Sequence, residues 1–288
     1  MANTFIAPGQ IISGSRTLDM AADTMAKMGK KALVVTDDVM KNLGNLGKVT
    51  DMLEKAGVSY AVFTGVTGEP DDRMIEAGVA VYRKENCDFL VALGGGSPID
   101  SMKAIAMIAA WGGRPADYIG RIVHEKPAPM AAIPTTAGTG SEATQFTIIT
   151  DTATQVKMLL KGPGLMPDLA VIDPQFTMTA PPKITAATGV DALTHAIEAY
   201  TSKKAQPLSD TFALSACQRI FGHLKNVWEH GDDWEGRNQM ALAALEAGMA
   251  FNNSSVTIVH GMSRPIGALF HVSHGISNAM LLNVCLDY

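Results

Sequence analysis

Cysteine is scarce in this sequence. Cys87, Cys217 and Cys285 are odd in number and show no C-x-x-C spacing, which argues against a disulfide framework. Reduced thiols lead to the expectation of a cytoplasmic protein. Long apolar runs are missing too. The longest, Ala104–Trp111, falls far short of the roughly 20 residues that a membrane-spanning helix needs, so no membrane partner is expected. The opening "MANTFIAPGQ" has neither a basic nor an apolar signal region, and nothing in it marks export. Basic clusters are absent: 23 Lys and Arg residues are scattered through a chain of net charge −5. No stripe of positive charge tracks a phosphate backbone, which excludes nucleic acid as the expected partner. What remains, 288 residues at 47% hydrophobic and 18% charged content, is the composition of a globular protein of one large or two medium domains.

The chain changes grammar partway along. From Lys31 to about Asp173, short β-branched runs alternate with helical stretches. The runs at 31–38, 59–66, 88–96, 129–136 and 169–174 predict strands, and 49–57, 71–85 and 98–110 predict helices. Continuously apolar strands separated by helices argue for a parallel sheet covered on both faces. Before them, "TFIAPGQIISGS" (4–15) reads as a hairpin turning at Pro8-Gly9, whose edge could pair with another subunit to form a homo-oligomer, a dimer in the simplest case. After Pro181-Pro182 the strand signals stop, and 184–202, 207–224, 236–251 and 255–270 carry helical periodicity. The expected organisation is α/β: a Rossmann-like parallel-sheet domain over 1–180 and an all-helical domain over 181–288.

Two loops in the first part suit a nucleotide. "DFLVALGGGSPID" runs a strand into three glycines, with Ser97 as expected N-cap, Pro98 at the first helical position and Asp100 where a capping box wants an acid. Free backbone N–H groups at such a helix start suit a pyrophosphate, although an ordinary strand-to-helix turn has the same composition. "IPTTAGTGSE" (133–142) gathers hydroxyls and glycines behind another strand, where α/β proteins bind ligands. At the end of the first strand, Asp37 or Asp38 can accept hydrogen bonds from an adenosine ribose and repel a 2′-phosphate, favouring NAD over NADP. One of the two fits a helix N-cap equally well. Lys157 either reaches a phosphate or lies exposed.

The helical part offers metal ligands. "GVDALTHAIEAY" sets Asp191 and His195 four residues apart, one turn apart on one helical face. Histidine is rare, seven in all, yet His260, His271 and His274 fall within "VHGMSRPIGALFHVSHG". One Asp and three His from separate segments could hold Fe²⁺ or Zn²⁺ with a position open to substrate. Along the first helix, Val190, Leu193, Ile197 and Tyr200 form one stripe and Asp191, His195 and Glu198 another, a pattern that a surface helix would also show.

Taken together, "GGGSPID", "IPTTAGTGSE", "GVDALTHAIEAY" and "VHGMSRPIGALFHVSHG" resemble the iron-dependent alcohol dehydrogenase family, a two-domain group with zinc-using relatives such as glycerol dehydrogenase. The resemblance implies a dehydroquinate synthase-like architecture with Asp191, His195, His260 and His274 as metal ligands. It implies NAD contacts at Asp37, Gly95, Gly96, Ser97, Asp100, Thr135, Thr136, Thr139 and Lys157. The implied enzyme interconverts a small primary alcohol or diol and its aldehyde. Two departures accompany it. Many relatives carry a histidine one turn after the first ligand of the last motif, where Arg264 stands here; His271 is the catalytic candidate in its place, the alternative being a proton that leaves through water and the cofactor ribose. Family members also continue through further helices, so the helical domain is expected to be C-terminally shortened, with its activity in question. The alternatives are a zinc polyol dehydrogenase or related lyase of the same fold, and a non-catalytic nucleotide-binding remnant.

Overall fold

The computed structural model describes residues 2–270 and 272–287; His271, the expected catalytic residue, lies outside them. The chain divides into two compact units. One holds Pro8–Thr135 and Thr144–Asp173, the other Met1–Ala7, Thr136–Ala143 and Pro174–Tyr288. The helical unit thus takes in two earlier segments, including most of the hydroxyl-rich loop.

The first unit is built on strands β1 (Gln10–Ser13), β2 (Lys31–Val35), β3 (Ser59–Phe63), β4 (Phe89–Gly94), β5 (Met130–Pro134) and β8 (Leu169–Ile172). They form one sheet in the order β1-β8-β5-β4-β2-β3, every neighbouring pair parallel. Helices α1 (Thr17–Met28), α2 (Asp38–Asn42), α3 (Asn45–Lys55), α4 (Asp72–Lys84) and α5 (Gly96–Trp111) connect them. A separate antiparallel hairpin joins β6 (Phe146–Asp151) to β7 (Val156–Lys161). This is the expected Rossmann-like architecture. Residues of β4 and β5 are buried without interruption, because a parallel sheet wrapped by helices leaves its central strands no solvent face. The helix α5 is likewise buried nearly all round from Pro98 to Ile108. Even Lys103 is fully buried there, its Nζ donating to Thr144 O at 2.8 Å, Thr144 Oγ1 at 3.1 Å and Phe146 O at 2.8 Å. Those bonds offset the desolvation of the ammonium.

Two local expectations fail. Residues 4–15 form no hairpin: only Gln10–Ser13 is a strand, and it joins the main sheet as an edge, Gln10 opposite Leu169 and Ser13 opposite Ile172. Gly9 is required by contact rather than by a turn, since a Cβ there would lie 2.9 Å from Asp168 O. The preceding residues are held elsewhere, Ile6 N donating to Asn253 Oδ1 at 2.7 Å and Ile6 O accepting from Asn252 and Asn253. The second failure is the cap of α5. The helix begins at Gly96 with Gly95 as N-cap and no side-chain cap. Ser97 and Pro98 are already inside it. Asp100 ties α5 to β6 instead, accepting from Ile148 N at 2.9 Å while its carbonyl accepts from Thr147 Oγ1.

The second unit consists of α6 (Pro182–Thr201), α7 (Pro207–Glu229), α8 (Trp234–Ser254), α9 (Ile258–Phe270) and α10 (His274–Leu286), with short 3₁₀ turns at Ser141–Ala143 and Pro174–Phe176. Alanines fill the seams: Ala196, Ala216 and Ala247 pack together, and Ala199, Ala213 and Ala250 form the next layer. Small residues let the α6, α7 and α8 backbones approach closely. No described helix is long and apolar enough to cross a membrane.

The three cysteines are free. Burial pushes the Cys87 thiol up to about 11, so the reactive thiolate is scarce. In folded protein at pH 8, iodoacetamide should leave Cys87 unmodified through times that fully label it in urea, as read by peptide mass spectrometry. Equal rates in both conditions would contradict its burial.

Candidate active site

In the sheet unit, the strand order reverses its direction of growth between β2 and β4: β3 adds on one side of β2 and the chain returns on the other. The crevice beyond the carboxyl ends at such a switch point is where open α/β sheets bind ligands. Two of the candidate segments flank it. Asp37 follows β2, and Gly94–Ser97 follows β4. Thr36 joins the two strand ends, its Oγ1 donating to Leu93 O at 2.8 Å. Gly94 has φ +156°, and a Cβ there would strike the Pro98 ring, so the turn into α5 requires glycine. No side chain caps the start of α5, and the first N–H groups of a helix have no partner within it.

The remaining candidates are placed differently. Asp37, not Asp38, is the N-cap of α2, its Oδ1 accepting from Met40 N at 2.8 Å; one oxygen serves the helix. Thr135 is buried at the end of β5, its N–H bonded to Gly94 O at 2.9 Å. Lys157 projects from β7 into an ion pair with Glu69 at 2.7 Å. Thr136 and Thr139 belong to the helical unit, where Thr139 Oγ1 accepts from Ser141 N at 3.3 Å.

The helical unit brings all four ligand candidates together. Asp191 and His195 come from α6, His260 from α9 and His274 from the first residue of α10. One ligand atom of each lies within 4.8 Å of the others. His260 Nε2 and His274 Nε2 stand 3.7 Å and 3.6 Å from Asp191 Oδ1, close to the edge of about 3.4 Å for tetrahedral ligands at zinc bond lengths. Asp191, His195 and His260 are almost fully buried, and His274 is partly exposed. The His195 ring is sandwiched between Phe251 at 4.3 Å and His260 at 4.4 Å, centroid to centroid.

The buried face of α6 is its polar one. Asp191, His195 and Glu198 are 3%, 6% and 2% exposed, whereas Tyr200 on the apolar stripe is 47% exposed. This reverses the expectation for a surface helix and needs compensation, because buried carboxylates are costly unless paired. Burial alone would raise Asp191, but His195, His274 and His260 outweigh it and hold the carboxyl well below the ordinary range. Burial depresses His195 to about 3, leaving a neutral imidazole whose Nδ1 has no hydrogen-bond partner. An ionised carboxylate among imidazoles, with an orphaned ring nitrogen, fits a divalent cation. Two buried carboxylates, Asp191 and Glu198, also balance its double charge.

Two neighbours of this cluster were not among the expected residues. Glu198 accepts from His260 Nδ1, from Thr257 Oγ1 at 2.8 Å and from Val259 N at 2.7 Å. Its signal was in the sequence, as the third member of the polar stripe on α6. Asn278, one turn after His274, donates from Nδ2 to Asp191 Oδ1 at 2.6 Å, and the same nitrogen lies 3.2 Å from His260 Nε2 and 3.3 Å from His274 Nε2. Nothing in the sequence marked it beyond its i,i+4 relation to His274. Arg264, one turn after His260, is exposed.

Comparison with known proteins agrees with both units. Residues 8–174 match the family model for iron-containing alcohol dehydrogenase, and 185–288 match the C-terminal model of the Fe-containing alcohol dehydrogenase family. The NAD-dependent methanol dehydrogenase of Bacillus methanolicus is 41% identical over 287 residues, 99% of this chain and 75% of that protein. The crystal structure of a 1,3-propanediol oxidoreductase superposes with a TM-score of 0.94 at 38% identity, over 98% of this chain and 74% of that one. Sulfoacetaldehyde reductase from Bifidobacterium kashiwanohense in complex with NAD⁺ gives 0.92 at 33% identity, over 99% of this chain and 76% of that one. With a parallel sheet that switches direction at a glycine turn, an Asp-His₃ cluster and sequence matches along both units, the chain belongs to the iron-containing alcohol dehydrogenase family.

Proposed function

We propose that this chain is an NAD-linked, metal-dependent oxidoreductase that interconverts a small primary alcohol or diol and its aldehyde. The observation that carries the proposal is the buried convergence of Asp191, His195, His260 and His274. The relatives named above act on methanol and 1,3-propanediol by their names, which favours hydride transfer over the lyase alternative. The sheet unit is then the dinucleotide-binding part and the helical unit the metal-binding part.

Asp191, His195, His260 and His274 would hold the ion, Fe²⁺ by family and Zn²⁺ by the same donor chemistry. When bound, it supplies Lewis acidity that favours the alkoxide of an alcohol. The ionised Asp191 and neutral His195 keep their lone pairs available at neutral pH, so no ligand at these positions must first lose a proton. In the sheet unit, the uncapped N–H groups of Gly95, Gly96 and Ser97 would receive the pyrophosphate of NAD. Asp37 keeps one carboxylate oxygen for the ribose hydroxyls while the other caps α2. Asp100, Thr135 and Lys157 would act as supports, Lys157 after exchanging Glu69 for a phosphate. Thr136 and Thr139 are assigned to the cofactor by family resemblance. The reaction would take place in the cytoplasm. Any homo-oligomer would use the outer side of β1, the edge strand, in place of a hairpin.

The test is NADH formation by anaerobically purified, Fe²⁺-reconstituted protein with short primary alcohols and diols. Turnover should require the metal. Metal uptake with no NADH from any alcohol or diol would refute the proposal. The Asp37 role has its own check. Asp37→Ser retains an N-cap but removes the charge, and should narrow the preference for NAD over NADP by about 10-fold or more in kcat/KM, with the melting temperature little changed. An unchanged ratio would remove Asp37 from the cofactor site.

A further inference from the structure

We propose that Glu198 is a positioning residue for the metal centre: it locks His260 in the tautomer whose Nδ1 carries the proton, leaving the Nε2 lone pair aimed at the ligand cluster. The inference rests on the metal-dependent reading above and deepens it.

Two contacts on opposite sides of the ring point the same way. Glu198 is 2% exposed and its Oε2 lies against His260 Nδ1. A carboxylate can only accept, so this ring nitrogen must be the donor. On the other side of the same ring, Asn278 Nδ2 lies 3.2 Å from His260 Nε2. An amide nitrogen can only donate; with one hydrogen on Asp191 Oδ1, its second is shared between His260 Nε2 and His274 Nε2, which suits Nε2 as an acceptor. The orientation of that amide is fixed in turn by Asp191 Oδ1, 2.6 Å away, because the opposite flip would set two oxygens against each other.

Glu198 is itself held rigidly. Its Oε1 accepts from Thr257 Oγ1 at 2.8 Å and from Val259 N at 2.7 Å, at the entry to α9. The same carboxylate therefore fixes both the start of the helix that carries His260 and the rotation of its ring. A ligating imidazole usually donates its second N–H to a carboxylate or carbonyl, and removing that partner typically weakens metal binding about 10- to 100-fold. Glu198 sits seven residues after Asp191 on the same face of α6, so one helix supplies two ligands and the support of a third.

Glu198→Gln tests this with little change in shape. A glutamine Oε1 can still accept from Thr257 and Val259, but its amide would face His260 Nδ1 as a donor. The ring would then be driven to the other tautomer, with its proton at Nε2, where the ion must bind. Apo protein is titrated with Co²⁺ under anaerobic conditions, and affinity and the visible ligand-field spectrum are recorded for wild type, Glu198→Gln and Asp191→Ala. The expected result is a 10- to 100-fold weaker affinity in Glu198→Gln, with an altered spectrum and an apo melting temperature close to wild type. Wild-type affinity and spectrum in Glu198→Gln would overturn the proposal while leaving the metal site standing. Failure of the wild-type chain to bind Co²⁺, Fe²⁺ or Zn²⁺ would instead overturn the metal reading beneath it. Should Glu198→Gln not fold, ¹⁵N-histidine NMR of apo wild type decides directly. A ring protonated at Nδ1 alone supports the proposal, and a proton at Nε2 overturns it.

Discussion

Asp191→Ala should abolish iron uptake at the centre and lower alcohol-dependent NADH formation by at least about 10³-fold. A Lewis acid contributes several kcal/mol to such a reaction, and each 1.36 kcal/mol is a factor of ten. Asp191 is the only carboxylate in the four-ligand cluster, and it faces both His260 Nε2 and His274 Nε2. Its removal leaves three imidazoles and no carboxylate ligand, with Glu198, behind His260, as the one remaining negative charge of the pair. Iron content by inductively coupled plasma spectrometry and NADH absorbance measure the two effects separately. A variant that retains iron and turnover would show that the reaction does not depend on this cluster. Apo protein should change little in fold, because Asn278 loses a single partner, and far-ultraviolet circular dichroism checks this.

The second large effect belongs to a residue without a side chain. Gly275 follows His274 in α10, and a Cβ at this position would strike Ala187 O and lie 2.7 Å from the Ala187 carbonyl carbon on α6. Inside a helix, alanine is ordinarily better than glycine by roughly 0.5–1 kcal/mol. Here the obstacle is main chain, which has no rotamer to change. The two helices must separate by something on the order of 1 Å to restore an ordinary contact. Overpacking of this kind costs about 1–3 kcal/mol, so the clash outweighs the propensity gain. The shift also exceeds the roughly 0.2 Å tolerance of metal–ligand distances and acts on the residue next to His274. Gly275→Ala should therefore lower the melting temperature by several degrees and weaken metal affinity at least about 10-fold. The control is Gly222→Ala on α7, where a Cβ meets nothing within 4 Å; it should be neutral or slightly stabilising. If both variants melt and bind alike, the close approach of α10 to α6 is wrong.

These cases show why the sequence was readable in some places and misleading in others. The four inner strands, β2, β4, β5 and β8, were legible because parallel strands between helices are apolar almost throughout. The β6–β7 hairpin was overlooked, although Met158 and Leu160 alternate with less buried neighbours. Its turn uses Gln155 at φ +58°, where a glycine or asparagine would have announced it. Pro8-Gly9 failed in the opposite direction, a turn signal in a segment that needs glycine only to pass Asp168. Helix α1 buries only Thr17, Ala21 and Met25, too small and too polar a stripe to stand out. At the metal cluster, Asp191 and His195 were visible from their spacing, but not the direction in which they face. Periodicity reports which residues share a side and is silent about which side is inside. Only the packing of α6 against α7, α8 and α10 turns the polar stripe inward. Asn278 was illegible because two of its three partners, Asp191 and His260, come from other helices.

The pairing of β1 with β8 has a consequence for synthesis. A strand formed by residues 10–13 finds its partner at 169–172, and Ile6 finds Asn252 and Asn253 later still. At translation rates of about 5–20 residues per second, the first segment waits roughly 8–30 s for its sheet neighbour to be made. The β2–β3 pair can form long before that, while β5 keeps an open edge until β8 arrives. During this interval the nascent chain exposes an apolar strand without a mate, and the N-terminal residues remain free for a chaperone or a peptidase.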